Sequence, residues 1–327
     1  MSTTQDWDCI VIGAGVQGSF TAYQLASKKK KTLLLEQFVL PHSRGSSHGQ
    51  TRIIRKAYDH DIYTHMMEES YQLWAQLEKE ANVKLYRQTG LLVMGAECGH
   101  EFQLIKNTLQ RNKVPTVILP REEFAKHIPN VNLSDGDGAL VDVTAGVLYA
   151  DRALKTVQVV KINVCYWKEK VPGSYNVKHR FPCFIQVDCK EGKHHIYGLP
   201  SNEYPGLMKV CYHMGSETDP DERDRQTDRS DIHILQRYIA RCFPGLMPVP
   251  AVVESCMYTV TPDHHFVLDR HPSYSNIVIG AGFSGHGFKF GPIIGKLLCE
   301  LSQEEVSSYD LSFFRIRRFQ APSKSAL

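Results

Sequence analysis

Residues 8–20 read Asp8-Cys9-Ile10-Val11-Ile12-Gly13-Ala14-Gly15-Val16-Gln17-Gly18-Ser19-Phe20, and the next apolar run, Leu33-Leu34-Leu35, ends at Glu36. The first run is apolar throughout rather than alternating, the pattern of a strand covered on both faces in a parallel sheet. A glycine turn follows, then a helix expected from Gly18 to Lys30, then a second strand from Lys31 to Leu35. This is a βαβ start. Glycines in a G-x-G-x-x-G spacing permit a tight turn and close approach of backbone to a pyrophosphate, which the helix N-terminus favours electrostatically. The acid at the tip of the second strand suits the adenosine ribose hydroxyls. Gly13, Gly15, Gly18 and Glu36 therefore point to a dinucleotide, although the spacing alone does not separate FAD from NAD.

Working outward, the far end of the chain repeats the pattern. Asn276-Ile277-Val278-Ile279 is expected as another buried strand, running into Ala281-Gly282-Phe283-Ser284-Gly285-His286-Gly287 and then a helix through Leu298. Both ends are thus expected to build one sheet while the middle builds a second domain. Ser284 sits where a nucleophile elbow would hold its serine, but His286 stands where that motif needs glycine, which argues against a hydrolase. Between the ends, Met66, Met67, Tyr71, Trp74 and Leu77 recur at helical spacing, so a long amphipathic helix is expected over 63–80. Residues 181–200 read as a hairpin. Its Cys183, Cys189, His194 and His195 lack the short Cys-x-x-Cys unit of a zinc site, and strand alternation accounts for them; no metal is expected.

Composition narrows the function classes. Among 327 residues, 38 Lys and Arg against 35 Asp and Glu leave a formal charge of +3, too small to indicate a nucleic-acid partner. The Lys28–Lys31 run reads as the solvated end of the first helix, where cations suit the dipole. No stretch approaches the length of a membrane span, and the start lacks the build of a signal peptide, so a soluble, non-secreted protein is expected. Nine scattered cysteines suggest reduced thiols in an intracellular compartment. The last residues, Ser325-Ala326-Leu327, are a loose form of a peroxisomal address, which would engage the import receptor.

Four segments, 43–58, 196–200, 256–272 and 276–292, together resemble the monomeric sarcosine oxidase family of FAD-dependent amine oxidoreductases, and the resemblance covers nearly the whole chain. It implies an α/β fold of the FAD-linked reductase type: a dinucleotide-binding βαβ sheet domain (1–55, 137–158 and 256–327) intertwined with a mixed β-sheet plus helix substrate domain (56–136 and 159–255). It implies FAD held covalently by a thioether to Cys256; without the resemblance, Cys256 reads as an inert buried thiol. The implied cofactor-binding set is Ile12, Gly13, Gly15, Val16, Gln17, Gly18, Glu36, Gln37, Arg44, Ser47, His48, Thr51, Cys256, Gly282, Gly285, Gly287 and Lys289. The implied substrate-side set is Arg52, Arg55, Tyr197, His213, Tyr258, His286 and Lys289. A guanidinium fork suits an amino-acid carboxylate, and a fixed cation suits the reaction of reduced flavin with oxygen. The implied reaction is oxidation of a small secondary amino acid (sarcosine, L-pipecolate or L-proline) to its imine, with oxygen as acceptor and hydrogen peroxide as product, by a monomer in the peroxisome.

The chain departs from the family at one place. Members carry roughly sixty more residues, several elements at usual lengths, between the Ala150–Leu154 helix and the Ile162–Trp167 strand. Residues 155–161 join these directly here. Loss of a central strand would expose a sheet edge and core surface, so the FAD domain is expected to be incomplete. An active oxidase and a shortened form without an intact FAD site both stand. An NAD-linked dehydrogenase shares the first motif alone and leaves residues 256–292 unexplained.

Overall fold

A computed structural model describes residues 6–38, 45–47, 49–150, 152, 164–190, 194–213, 229–254 and 259–319. The chain divides into two compact units, one formed by 1–48, 153–160 and 258–327, the other by 49–152 and 161–257.

In the first unit, strands β1 (Cys9–Ile12) and β2 (Thr32–Leu35) pair in parallel, Cys9 opposite Thr32 and Ile12 opposite Leu35. Helix α1 (Val16–Ser27) connects them, which is the expected βαβ start. Its bounds differ from those its apolar pattern suggested, because extended backbone at Gly15 marks its start and Lys29 has a positive φ of 60° just past its end.

The second unit carries an eight-stranded mixed sheet and a three-stranded one. The small sheet joins β3 (Thr51–Ile54), β8 (Gly146–Tyr149) and β4 (Tyr86–Gln88). Helix α2 (Asp61–Ala81) buries Tyr63, Met66, Met67, Ser70 and Trp74 along one stripe and closes on Asn82 in the left-handed region. The large sheet contains β5 (Leu91–Ala96), β6 (Thr116–Ile118), β7 (Asp137–Asp142), β9 (Val164–Glu169), β10 (Cys183–Gln186), β11 (Ile196–Tyr204), β12 (Leu207–Tyr212) and β13 (Leu246–Glu254). Its order is β13-β9-β12-β11-β10-β5-β7-β6, antiparallel throughout except for β10 beside β5.

Period-two alternation sends Leu92 and Met94 of β5 into one core and Leu91 and Val93 into another. The first core is capped by Phe124 of α4 (Arg121–His127) and by Leu235, Tyr238 and Ile239 of α5 (Ser230–Cys242). The second is capped by Phe102, Ile105 and Leu109 of α3 (His100–Arg111). The hairpin expected over 181–200 is the antiparallel β10–β11 pair.

The first unit ends with β14 (Val267–Arg270) antiparallel to β15 (Val278–Ala281), then α6 (Gly291–Ser302). Two expectations are corrected here. The strands β1 and β15 do not join one sheet among the described residues; each has its own two-stranded sheet. Nor is β1 buried on both faces: Ile10 is 57% and Ile12 85% exposed, and Leu34, Leu35 and Ile277 are exposed as well. Helices α1 and α6 pack against each other, α1 also against β2 and α6 against β15, while no described element covers the other face of β1 and β2.

The packing also divides the chain differently from the expected boundaries. Residues 49–55 and 137–152, expected with the nucleotide-binding segments, lie in the second unit, because β3 pairs with β8 and β7 sits between β5 and β6.

Candidate functional site

The glycine turn is built as its spacing requires. Gly13 has φ 97°, a conformation that penalises any side chain. A Cβ at Gly18 would run into the Gly13 carbonyl, so helix and strand approach as closely as they do only with glycine there. Glu36 at the tip of β2 comes back to this turn, accepting the Ala14 N–H at 2.9 Å through one carboxylate oxygen and the Phe38 N–H at 3.2 Å through the other. Ser47 Oγ accepts the Val16 N–H at 3.0 Å, in the first turn of α1. Gln37 and Ile12 are exposed, and Val16 is buried.

The second glycine turn meets the first across 270 residues of sequence, where Gln17 Nε2 donates to the Gly287 carbonyl at 2.9 Å. The two helices behind these turns cross closely. A Cβ at Gly291 would sit 2.7 Å from Val16 Cγ2, and one at Gly295 would sit 2.5 Å from the Phe20 backbone. Gln17 Oε1 is buried with no hydrogen-bond partner among the described residues. A buried acceptor between two glycine turns, with an acid at the strand tip, fits the donor-rich nucleotide portion of FAD.

Around the second turn, Gly282 and Gly285 have φ of 63° and 76°. Ser284 Oγ is committed within its own turn, donating to the Gly282 carbonyl at 3.1 Å and accepting the Thr261 N–H at 3.2 Å, so it is not presented as a nucleophile. Lys289, 6% exposed, donates to the His286 carbonyl at 3.0 Å, and the His286 ring packs against Phe266.

In the second unit, Thr51 is buried on β3, and the Arg52 guanidinium returns to the Thr51 carbonyl at 2.8 Å. Arg55 donates to the Ala57 carbonyl and lies 4.1 Å over the Tyr58 ring. Strand β3 contacts β11, which carries Tyr197. Tyr197 meets the His213 ring edge to face at 5.7 Å. Arg44, His48, Cys256 and Tyr258 lie outside the described residues, as does the 325–327 ending.

Two features went unread in the sequence. Lys209 is the one buried lysine among the described residues of the second unit, 5.8 Å from the Tyr166 ring and opposite Leu199 in register. It shares a sheet face with Tyr197, and the signal for it was a lone charge inside the apolar strand Leu207-Met208-Lys209-Val210-Cys211. The Gly291–Gly295 spacing was visible as well, but not its partner helix. Cys183 is a core thiol: burial pushes it up to about 12, opposed by the Thr89 hydroxyl, far from the readily ionised state a metal ligand needs.

A βαβ start with an intact glycine turn, a second glycine turn tied to it and a mixed-sheet unit fit a dinucleotide-dependent oxidoreductase, and the family match makes the dinucleotide FAD. The chain belongs to the FAD dependent oxidoreductase family, which matches residues 8–161 and 162–301. Within that class it is similar to the peroxisomal sarcosine oxidase of Homo sapiens, 48% identical with 98% of each chain covered, and to the monomeric sarcosine oxidase of Arthrobacter sp., 31% identical with 97% of this chain and 98% of that one covered. Its fold matches solved structures of NikD, described as an unusual amino acid oxidase (TM-score 0.78, 17% identity, 95% of this chain and 98% of that one), and of L-proline dehydrogenase from P. horikoshii (TM-score 0.76, 18% identity, 96% and 98%). The human alignment runs over 385 residues, more than the 327 present here, and the family match breaks between residues 161 and 162. The longer alignment means that the human relative has positions with no counterpart in this chain.

Proposed function

We propose that this chain oxidises a small secondary amino acid, of the size of sarcosine, L-pipecolate or L-proline, to its imine, passing the electrons to oxygen and releasing hydrogen peroxide. The observation that carries this reading is the 48% identity to a sarcosine oxidase across 98% of both chains, together with the closed pair of glycine turns. When bound, FAD supplies the hydride acceptor and the route to oxygen.

The chain's own groups supply position and charge. Glu36 would take the ribose hydroxyls, and the start of α1 would face the pyrophosphate. Gly282, Gly285 and Gly287 keep backbone open to the cofactor, with Ser47, His48, Thr51, Arg44, Gln17 and Gln37 on its flanks. Cys256 is proposed to form the thioether. Arg55 is the fork for the substrate carboxylate, and Tyr197, His213, Tyr258 and His286 are the other proposed substrate-side residues. Arg52, Lys289 and Lys209 are fixed cations, each suited to favour movement of negative charge toward oxygen. Residues 1–55, 137–158 and 256–327 are proposed as the FAD-binding segments and the remainder as the substrate segments. The peroxisomal names of two relatives support delivery to the peroxisome, and the monomeric name of a third supports a monomer.

A second reading draws on the 85% exposure of Ile12: a family member whose nucleotide unit does not close on FAD and which has no turnover of its own. Peroxide release on addition of sarcosine or L-pipecolate to the purified chain tests the first reading. No peroxide with any secondary amino acid, from a chain that retains flavin, would overturn the substrate class.

A further inference from the structure

Behind His213 lies a second histidine that no role above uses. His195 immediately precedes β11 and His213 immediately follows β12, and the two are tied as cross-strand neighbours by the His213 N–H donating to the His195 carbonyl at 2.8 Å. Their rings are parallel within 6°, centroids 6.1 Å apart. His195 is itself gripped from outside the sheet: its Nε2 lies 2.7 Å from one carboxylate oxygen of Glu101 and 2.8 Å from the other. Glu101 stands in the first turn of α3, where the helix dipole favours a carboxylate. The series Glu101, His195, His213, Tyr197 thus runs from a helix terminus to the sheet face that carries Lys209.

A histidine at a strand end has a broad, two-fold χ2 preference, so its ring plane is set by neighbours and not by its own torsion. Both faces of that choice are fixed here. Glu101 pins the His195 ring, the His195 ring lies parallel to that of His213, and Tyr197 bounds His213 on its edge. We infer that Glu101 and His195 are positioning residues, which hold the His213 imidazole in the orientation that meets the substrate. The inference rests on the proposed place of His213 beside the substrate. The Glu101 and His195 side chains are 31% and 29% exposed, so the pair contributes little to global stability and its loss acts on orientation.

The test uses the flavin-loaded full chain and two variants, Glu101→Ala and Glu101→Gln, the second keeping an acceptor oxygen for His195. In spectra of protein labelled with carbon-13 in its histidine rings, with His213 assigned by His213→Asn, Glu101→Ala is expected to move the His213 ring signals and Glu101→Gln to restore most of the shift. In turnover, Glu101→Ala is expected to raise the sarcosine KM about tenfold with kcat within about twofold, and Glu101→Gln to lie within about threefold of the parent. Unmoved His213 signals in Glu101→Ala overturn the positioning role whatever the substrate. Moved signals, with sarcosine KM at the parent value in both Glu101→Ala and His213→Asn, overturn instead the place of His213 beside the substrate, and the inference falls with it.

Discussion

The two units treat the same kind of sequence differently. In β5, Leu91, Leu92, Val93 and Met94 are all at most 2% exposed, because α3 covers one face and α4 and α5 cover the other. In β1, the equally apolar Cys9-Ile10-Val11-Ile12 has a helix on one face and leaves Ile10 and Ile12 largely in solvent on the other. An apolar run thus reports the surroundings a strand is suited to, and the covering must come from elsewhere in the chain. Here the family match breaks between 161 and 162, beyond β8 and before β9.

The sharpest way to break this contrast is to truncate one side chain in each strand. Leu92→Ala should lower stability by ~2–5 kcal/mol, since it opens a cavity in a filled core. Ile12→Ala should stay within ~0.5 kcal/mol, since its side chain is already 85% exposed. Urea denaturation followed by circular dichroism measures both, and equal losses would mean that β1 is covered in solution.

A smaller effect separates the two faces of the first unit itself. Gly295→Val would place a Cβ 2.5 Å from the Phe20 backbone and force α1 and α6 apart, at about 1–3 kcal/mol. The shift would also stretch the Gln17–Gly287 hydrogen bond that ties the two glycine turns together, so flavin retention should fall. Gly45→Ala, with no atom within 4 Å of the added Cβ, should leave stability and flavin unchanged. Equal behaviour of the two variants would remove the helix crossing from the account.

The smallest expected effect is an acid limb belonging to the first unit. Hydrogen bonds from Arg318 hold the Asp263 carboxyl well below the usual carboxylate range, against a burial contribution that raises it. For Asp269, burial raises and Arg315 with two backbone N–H groups lowers, and the lowering wins. A carboxylate depressed in the folded state adds stability that is complete above its unfolded value, near ~4, and is lost as pH falls through its folded value. Asp263 is partly exposed, so its contribution is modest. Melting temperatures should therefore decline below about pH 4 more steeply in the parent than in Arg318→Gln; parallel curves would remove this pair from the acid response.

What was legible in the sequence was whatever is local. The G-x-G-x-x-G turn, the acid 18 residues beyond Gly18, the α2 stripe and the β10–β11 hairpin each depend on neighbours within a few turns of chain. What was not legible depends on partners far away. Gly295 matters because Phe20 lies against it, Gln17 because Gly287 does, and His195 because Glu101, 94 residues earlier, reaches it. The burial of β1 is not legible for the same reason, since its apolarity is local and its missing cover is not.

The proposed function requires that this chain, despite the open face of β1, hold FAD and that Cys256 form the thioether to it. Its most direct test is the visible absorption of acid-precipitated protein, parent beside Cys256→Ala. The parent pellet is expected to stay yellow and the variant pellet to be colourless. A colourless parent pellet, or one equally yellow in the variant, would contradict the claim.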